Sequence, residues 1–304
     1  MGNVEMAFLL TGLAGLSTGI GSLIAFFIKG KNIKYLTLAM GFAAGVMIYV
    51  SFLEILPKAM NGLEAYYNTV ACSVENMITA TCGELSEETK RIVKEGYSSV
   101  GAWVAISVFF AGMLLVVLID KWVLSPSSSN KFVDQANKTG ENAKMNASKL
   151  RRIGILTALA LAIHNFPEGV ATFVATLEDP TLGLTIAVAI AMHNIPEGIA
   201  VSMPIYYATG NRIQAFSYSF LSGLVEPLGA FLGYIFLSPY LTPEIMNILL
   251  AGVGGIMVFI ALDQLIPGAE NYGEYHWRTY GVVVGMAVMA VSLLLLNMGG
   301  GSGH

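Results

Sequence analysis

Eight apolar runs, each about as long as a helix must be to cross the hydrocarbon layer of a bilayer, set the strongest limit on how this chain can fold. They cover approximately residues 4–28, 33–57, 98–124, 152–177, 181–207, 211–238, 243–266 and 277–298. Only 12% of the residues are charged, against about 25% in soluble proteins. Because lipid offers no hydrogen-bond partners to the backbone, only helices or closed barrels span it. The runs predict an all-α membrane protein, a bundle of eight transmembrane helices that forms a single domain over residues 1–298.

The basic residues are distributed unevenly between the connecting loops. Loops that follow the odd-numbered runs carry 12 Lys and Arg residues, whereas loops that follow the even-numbered runs carry 4. Basic loops tend to remain in the cytoplasm, so the odd-numbered loops are predicted to be cytoplasmic. We therefore expect a multi-pass protein of the cell (inner) membrane with both termini outside the cytoplasm.

Three segments lie outside the spans. The predicted outer loop, residues 58–97, is rich in acidic residues and is expected to form short helices that cap the outer face. Its Cys72 and Cys82 either form a disulfide in an oxidising compartment or remain free thiols. The polar segment 125–149 lacks periodicity and predicts a flexible cytoplasmic loop. The final stretch, residues 299–304 (GGGSGH), resembles an added linker and is not counted in the fold.

Two nearly identical hexapeptides, residues 164–169 (HNFPEG) and 193–198 (HNIPEG), lie inside the fourth and fifth runs. Each places His and Glu four positions apart, which is one face of a helix. Each also has a proline before the glutamate, which removes a backbone hydrogen bond and frees a carbonyl one turn earlier. Ionisable groups are costly inside lipid, so an intramembrane cluster indicates a functional site. A single copy could be a kinked helix with a satisfied histidine, but two copies favour a site for a ligand.

A third intramembrane carboxylate, again followed by a proline, occurs in the sixth run. The predicted metal ligands are His164, Asn165, Glu168, His193, Asn194, Glu197 and Glu226. Imidazole, carboxylate and amide groups suit Zn²⁺ and other first-row divalent ions, and the lack of Cys in the runs argues against a Cu(I) site. The three glutamates carry −3 when ionised, so one divalent ion leaves −1 and two leave +1. Metal binding should release protons, and a bridging carboxylate could hold two ions about 3.5–4 Å apart.

A weaker internal repeat relates the second and seventh runs. The segment 45–57, with GVM followed by FLEILP, matches 255–267, with GIM followed by LDQLIP, at an offset of 210. This match predicts that runs one to three repeat in runs six to eight around a central pair. Repeats of this kind are common in transporters.

The same two segments contain a second set of polar residues, the pair Ser51 and Glu54 and the pair Asp263 and Gln264. Each pair is expected near the outer end of its span. These residues are either groups on a transport path or interfacial residues that reach water, and the sequence does not decide between these roles.

The twin hexapeptides, the eight runs and the variable cytoplasmic loop after the third run resemble the ZIP (Zrt/Irt-like) metal transporters, most closely their ZupT-type bacterial branch. This resemblance covers nearly the whole chain. It implies an importer of Zn²⁺, with Fe²⁺, Mn²⁺, Co²⁺ and Cd²⁺ as further substrates, that uses a binuclear centre formed by the seven ligands. It also implies a 3+2+3 arrangement with inverted repeats, elevator-like movement and a homodimer. The implied partners are divalent ions and membrane lipid, with no nucleic acid and no cofactor apart from the transported ion.

The chain departs from the family pattern in two places. Segment 125–149 contains no histidine, so metal sensing by this loop is not expected. The 58–97 loop is long for a bacterial member, and its role is left open.

Two other classes of function place the same residue types in a membrane. One is an intramembrane zinc-dependent hydrolase, which is disfavoured because the chain lacks a His-Glu-x-x-His run. The other is a metal-gated channel or sensor. The sequence leaves open the choice between carrier and channel, the order of metal preference, the energy coupling, the number of ions per cycle and the oligomeric state.

Overall fold

A computed structural model of the chain describes residues 2–27, 33–82, 86–123, 142–178, 180–237, 240, 242–270 and 275–300. Within these ranges every regular element is a helix. The α-helices are α1 (Asn3–Phe27), α2 (Ile33–Val50), α3 (Leu56–Cys82), α4 (Glu87–Val123), α5 (Asn142–Glu178), α6 (Pro180–Thr209), α7 (Arg212–Leu232), α8 (Pro243–Phe259), α9 (Ile266–Glu270) and α10 (Tyr275–Gly300). Three π-helical segments cover Ser51–Ile55, Gly233–Leu237 and Ile260–Leu265.

Eight of these helical stretches are long and apolar enough to cross a membrane, which confirms the predicted fold class. Helices α1, α4, α5, α6, α7 and α10 each provide one span. The second span is α2 with α3, and the seventh is α8 with α9, each pair being joined by a π-helical segment. The protein is therefore an integral, multi-pass membrane protein.

In space the spans form two groups. Helices α1, α5, α6 and α7 pack against one another, and so do α2, α3, α4, α8 and α10. The largest apolar core lies where the groups meet, mainly through contacts of α6 with α2 and of α5 with α8. The fourth and fifth spans, which carry the hexapeptides, therefore lie within one group, flanked by the first and sixth spans.

The internal repeat has a counterpart in the backbone. The π-helical segments Ser51–Ile55 and Ile260–Leu265 occupy matching positions of the two repeated runs. In the second span the Leu56 N–H donates to the Ser51 carbonyl five residues earlier. In the seventh span the Ile266 N–H donates to the Ala261 carbonyl, also five residues earlier. Pro57 and Pro267 lack an N–H group, so a regular α-helical ladder is interrupted at both places. Because consecutive spans alternate in direction, the second and seventh spans run in opposite directions, as in an inverted repeat.

The prediction of short capping helices over 58–97 is wrong. Helix α3 continues from the second span to Cys82, and α4 begins at Glu87. At 27 residues, α3 is about 40 Å long, more than the roughly 30 Å of a bilayer core. We refer to residues 64–82 and 87–100 as the helical hairpin. It is a continuation of the second and third spans rather than a separate loop.

The continuous helix also excludes the disulfide between Cys72 and Cys82. The two cysteines are ten positions apart on α3, which separates their Cα atoms by about 15 Å. A disulfide requires about 4.4–6.8 Å. Cys72 is an exposed free thiol.

The predicted flexible loop, residues 125–149, is shorter than expected on its C-terminal side. Helix α5 begins at Asn142, so the last part of this segment is helical. Residues 124–141 lie outside the described residues, and so do residues 301–304 at the end of the chain.

Candidate metal centre

The two hexapeptides lie on α5 and α6, and both helices remain α-helical through the internal prolines. At the final glycine of each hexapeptide a neighbouring helix approaches closely. A Cβ atom on Gly169 would collide with the carbonyl oxygen of Glu226, and one on Gly198 with the carbonyl oxygen of Thr18. The glycines thus allow α7 and α1 to pack directly against the motif helices.

The histidine of each hexapeptide contacts the glutamate of the other. His164 Nε2 lies 3.1 Å from Glu197 Oε1, and His193 Nε2 lies 3.1 Å from Glu168 Oε1. His164 Nε2 also lies 3.4 Å from Glu168 Oε2, on its own helix. All four residues are buried, and the two imidazole rings are 6.4 Å apart between centroids. The twin motifs therefore form a single cluster with approximate twofold symmetry.

The asparagines orient their amide groups through backbone oxygens of the flanking helices. Asn165 Nδ2 donates to the Ser222 carbonyl at 2.9 Å, and Asn194 Nδ2 donates to the Ala14 carbonyl at 3.0 Å. Asn194 Nδ2 also donates to Glu226 Oε2 at 2.8 Å, which joins the third glutamate to the cluster. With the amide N–H groups used in this way, the amide oxygens remain available to a ligand.

Among the residues that the structure describes, every one of the seven predicted ligands keeps one buried atom without a hydrogen-bond partner. These atoms are His164 Nδ1, Asn165 Oδ1, Glu168 Oε2, His193 Nδ1, Asn194 Oδ1, Glu197 Oε2 and Glu226 Oε1. Buried polar atoms are almost always paired in native proteins, because an unpaired one loses its hydration without compensation. So many unpaired acceptors in one place indicate a site that binds a cation.

The cluster has a geometry that an ion can use. His164, His193 and Glu197 each offer a ligand atom, and these atoms lie within 4.8 Å of one another. Nitrogen and carboxylate oxygen are common zinc ligands, and the amide oxygens suit harder divalent ions. The three buried glutamates give the cluster a negative charge that divalent cations would offset.

The second set of polar residues lies in the π-helical segments Ser51–Ile55 and Ile260–Leu265. Ser51 is buried, and Glu54 is half-buried. Gln264 is buried and donates through Nε2 to Asp263 Oδ2 at 2.6 Å. The structure thus brings the seven predicted ligands together and places these four residues on other helices.

The expectation that both pairs lie near the outer end of their spans is wrong for Asp263 and Gln264. The two pairs occupy equivalent positions of the repeat, but the second and seventh spans run in opposite directions, so the two pairs cannot both lie towards the outer face. A Cβ on Gly268, in the turn after Asp263 and Gln264, would lie 2.6 Å from Met40 and 3.0 Å from Ile153, two residues near the starts of α2 and α5. These starts are on the predicted cytoplasmic side.

The backbone groups that hold the asparagines could not be predicted from the sequence. Ala14 and Ser222 contribute carbonyl oxygens rather than side chains, and a carbonyl leaves no mark in the residue type. The spacing of small residues on α1 and α7 indicates close helix packing, but it does not identify the partner helix.

Comparisons with known proteins point to one family. A family model described as "ZIP Zinc transporter" matches residues 124–293. The zinc transporter ZupT of Lysinibacillus sphaericus is 51% identical over 299 residues, covering 97% of this chain and 99% of the relative. The protein of the same name from Oceanobacillus iheyensis is 50% identical over 296 residues, covering 97% and 100%. That of Streptococcus mutans is 48% identical over 289 residues, covering 95% and 97%.

Proposed function

Because this chain belongs to the ZIP zinc transporter family, we propose that it imports Zn²⁺ across the cell membrane into the cytoplasm through the buried His/Asn/Glu cluster. The observation that carries the proposal is the set of seven predicted ligands, each with one unpaired buried atom. Zn²⁺ is a substrate here and not a cofactor. The relatives named above are zinc transporters, which sets aside the hydrolase alternative.

The ligand set supports a centre for two ions. The crossed contacts join His164 to Glu197 and His193 to Glu168, and an ion between them would replace these contacts with metal bonds. The amide oxygens of the asparagines and the free oxygen of Glu226 define a second position beside the first. Glutamates that face both positions could bridge two ions about 3.5–4 Å apart. The mixture of nitrogen and oxygen donors also supports Fe²⁺, Mn²⁺, Co²⁺ and Cd²⁺ as further substrates.

The four polar residues of the π-helical segments extend this site into a path. Ser51 and Glu54 lie in the predicted outer half of the bundle, and Asp263 and Gln264 lie in the predicted cytoplasmic half. We assign the first pair to the approach of the ion and the second pair to its departure. π-Helical turns frequently occur at functional sites, and here each presents polar groups next to a proline.

The direction of import rests on the distribution of basic residues, which predicts that both termini are outside the cytoplasm. Resemblance to the family supports a homodimer in the inner membrane, and chemical cross-linking of the protein in native membranes would test it.

Uptake of radiolabelled Zn²⁺ into proteoliposomes that contain a pH-sensitive dye tests the function. Wild-type protein should show saturable uptake with a proton signal, since occupied ligands release protons. Glu197→Gln removes the charge of a central ligand and should abolish uptake. Glu75→Gln is the matched control and should transport normally. It removes the charge of a glutamate in the helical hairpin, whose Oε1 lies 3.9 Å from Lys90 Nζ.

Three results would contradict the proposal. Equal uptake by wild type and Glu197→Gln would show that the cluster does not carry the ion. Tight Zn²⁺ binding without flux in wild type would favour the sensor alternative, and non-saturating flux without proton movement would favour a channel.

A further inference from the structure

The first span packs directly on the metal centre although the sequence predicted no ligand in it. The amide nitrogen of Asn194 donates to the Ala14 carbonyl of α1 at 3.0 Å and to Glu226 at 2.8 Å. A Cβ on Gly15 would lie 2.6 Å from the Gly223 carbonyl oxygen and 3.3 Å from the Cβ of Glu226. The backbone of α1 therefore fixes one ligand of the centre and lies against a second.

Thr18 lies one turn along α1 from Ala14. Its hydroxyl group makes no hydrogen bond to the residues that the structure describes, unlike the hydroxyl groups of Thr11 and Ser17 on the same helix. The Thr11 hydroxyl, two turns away, donates to the Ala7 carbonyl at 2.8 Å. The Thr18 side chain is completely buried, yet within the described part of the chain its Oγ1 has no hydrogen-bond partner. A hydroxyl group without a partner is unfavourable at such a depth.

The reason is that the usual acceptor is already occupied. A helical threonine normally donates to the carbonyl four residues earlier, which here belongs to Ala14. That oxygen accepts from Ser17 Oγ at 2.6 Å and from Asn194 Nδ2 at 3.0 Å, and it also faces the N–H group of its own helix. A carbonyl oxygen has two lone pairs, so the Ala14 carbonyl offers no position to the Thr18 hydroxyl, and the Gly15 carbonyl three residues earlier does not accept from it either.

The unpaired hydroxyl lies beside the ligand helices. Thr18 Oγ1 is 3.0 Å from the position that a Cβ on Gly223 would occupy, and the Thr18 carbonyl contacts Gly198. Gly198 follows Glu197 directly, and Gly223 is one turn from Glu226 on α7. The hydroxyl therefore lies between α6 and α7, within about one turn of two carboxylate ligands.

We propose that Thr18 is an eighth member of the metal centre. Its oxygen binds the ion on the side of Asn194 and Glu226, directly or through one water molecule of that ion. This inference rests on the proposed function, since it extends the same site. The first span then contributes a ligand as well as the carbonyl that orients Asn194.

Binding of Zn²⁺ to purified protein, measured by titration calorimetry, tests this role. Thr18→Val keeps the shape and removes the hydroxyl, and it should weaken one of the two ion sites by about tenfold, as loss of groups around a metal typically does. Thr18→Ser restores an oxygen and should restore most of the affinity. Thr11→Val removes a buried hydroxyl that is already paired within α1 and should leave Zn²⁺ affinity unchanged.

A second variant gives a signal that packing alone would not produce. In a Cys72→Ser/Cys82→Ser background, Thr18→Cys places a thiol where the proposed oxygen lies. Thiolate ligands prefer soft ions, so the variant should gain affinity for Cd²⁺ relative to Mn²⁺ and show the ultraviolet charge-transfer band of a Cd–thiolate bond. Thr11→Cys in the same background should show neither.

These outcomes separate this inference from the function on which it rests. Wild-type protein that binds no Zn²⁺ would overturn both. Wild-type binding with equal affinity in Thr18→Val, or equal losses in Thr18→Val and Thr18→Ser, would overturn the role of Thr18 alone. Absence of the Cd–thiolate band in Thr18→Cys would overturn direct binding of the ion at this position.

Discussion

At the scale of single residues, the crossed contacts make each motif helix depend on the other. The shortest carboxylate contact of each histidine, 3.1 Å in both cases, is to the glutamate on the opposite helix. Replacement of one histidine therefore affects both hexapeptides. It also changes the chemical character of the donor set, which contains two nitrogen ligands.

Replacement of either histidine by glutamine should shift metal preference. His193→Gln and His164→Gln exchange an imidazole nitrogen for an amide oxygen, and oxygen ligands suit Mn²⁺ better than Zn²⁺. We expect Zn²⁺ affinity to fall by about 10-fold or more, as for other changes at metal sites, while Mn²⁺ affinity falls less. Calorimetric titration with both ions measures the difference.

His276→Gln is the control, because His276 is an exposed residue near the start of α10. Parallel losses for Zn²⁺ and Mn²⁺ in His193→Gln, or a shift in His276→Gln, would contradict the assigned ligand set.

At the scale of helices, glycine determines how closely the spans of the second group approach. A Cβ on Gly45 of α2 would collide with the Val282 carbonyl oxygen of α10, and one on Gly285 with the Phe42 carbonyl oxygen. The contact is thus reciprocal between the two helices. In lipid, where apolar side chains gain little from burial, such close backbone packing is a main source of helix association.

Gly45→Ala should destabilise the protein by about 1–3 kcal/mol, the usual cost of overpacking. Gly12→Ala is the matched control, since a Cβ on Gly12 meets nothing within 4 Å and alanine is the better helix former. Thermal unfolding in detergent should show a lower midpoint for Gly45→Ala and an unchanged or higher one for Gly12→Ala. Equal midpoints for Gly45→Ala and wild type would mean that the α2–α10 contact relaxes.

How well an element can be predicted from the sequence depends on its kind. The spans were predictable, and so was the burial of the seven predicted ligands, because both depend on residue type and on spacing along one helix. The extension of α3 to Cys82 was not, because hydrophobicity gives the part of a helix that lies in lipid and not its end. The depth of Asp263 was misjudged because it depends on the direction of the seventh span, and the role of the Ala14 carbonyl depends on tertiary packing.

At the scale of the whole molecule, the helical hairpin offers a direct test of orientation. Cys72 is an exposed free thiol on α3, and the distribution of basic residues predicts that it lies outside the cytoplasm. In intact cells a membrane-impermeant maleimide should label wild-type protein and a Cys82→Ser variant. A Cys72→Ser/Cys82→Ser variant, which retains no thiol, should remain unlabelled.

One labelling result would contradict the predicted orientation. If the maleimide reacts with Cys82→Ser protein only after the cells are permeabilised, the hairpin faces the cytoplasm. The proposed direction of import would then be reversed with respect to the π-helical segments.

The hairpin also affects how this protein can be imaged. A chain of 32.4 kDa lies mostly within a detergent micelle, so electron-microscopy particles have few external features by which they can be aligned. The hairpin is continuous with the second and third spans, so its position follows that of the helices that remain in the micelle. An antibody fragment raised against residues 64–82 would therefore provide a visible marker that is attached, through unbroken helix, to one of the two groups of spans.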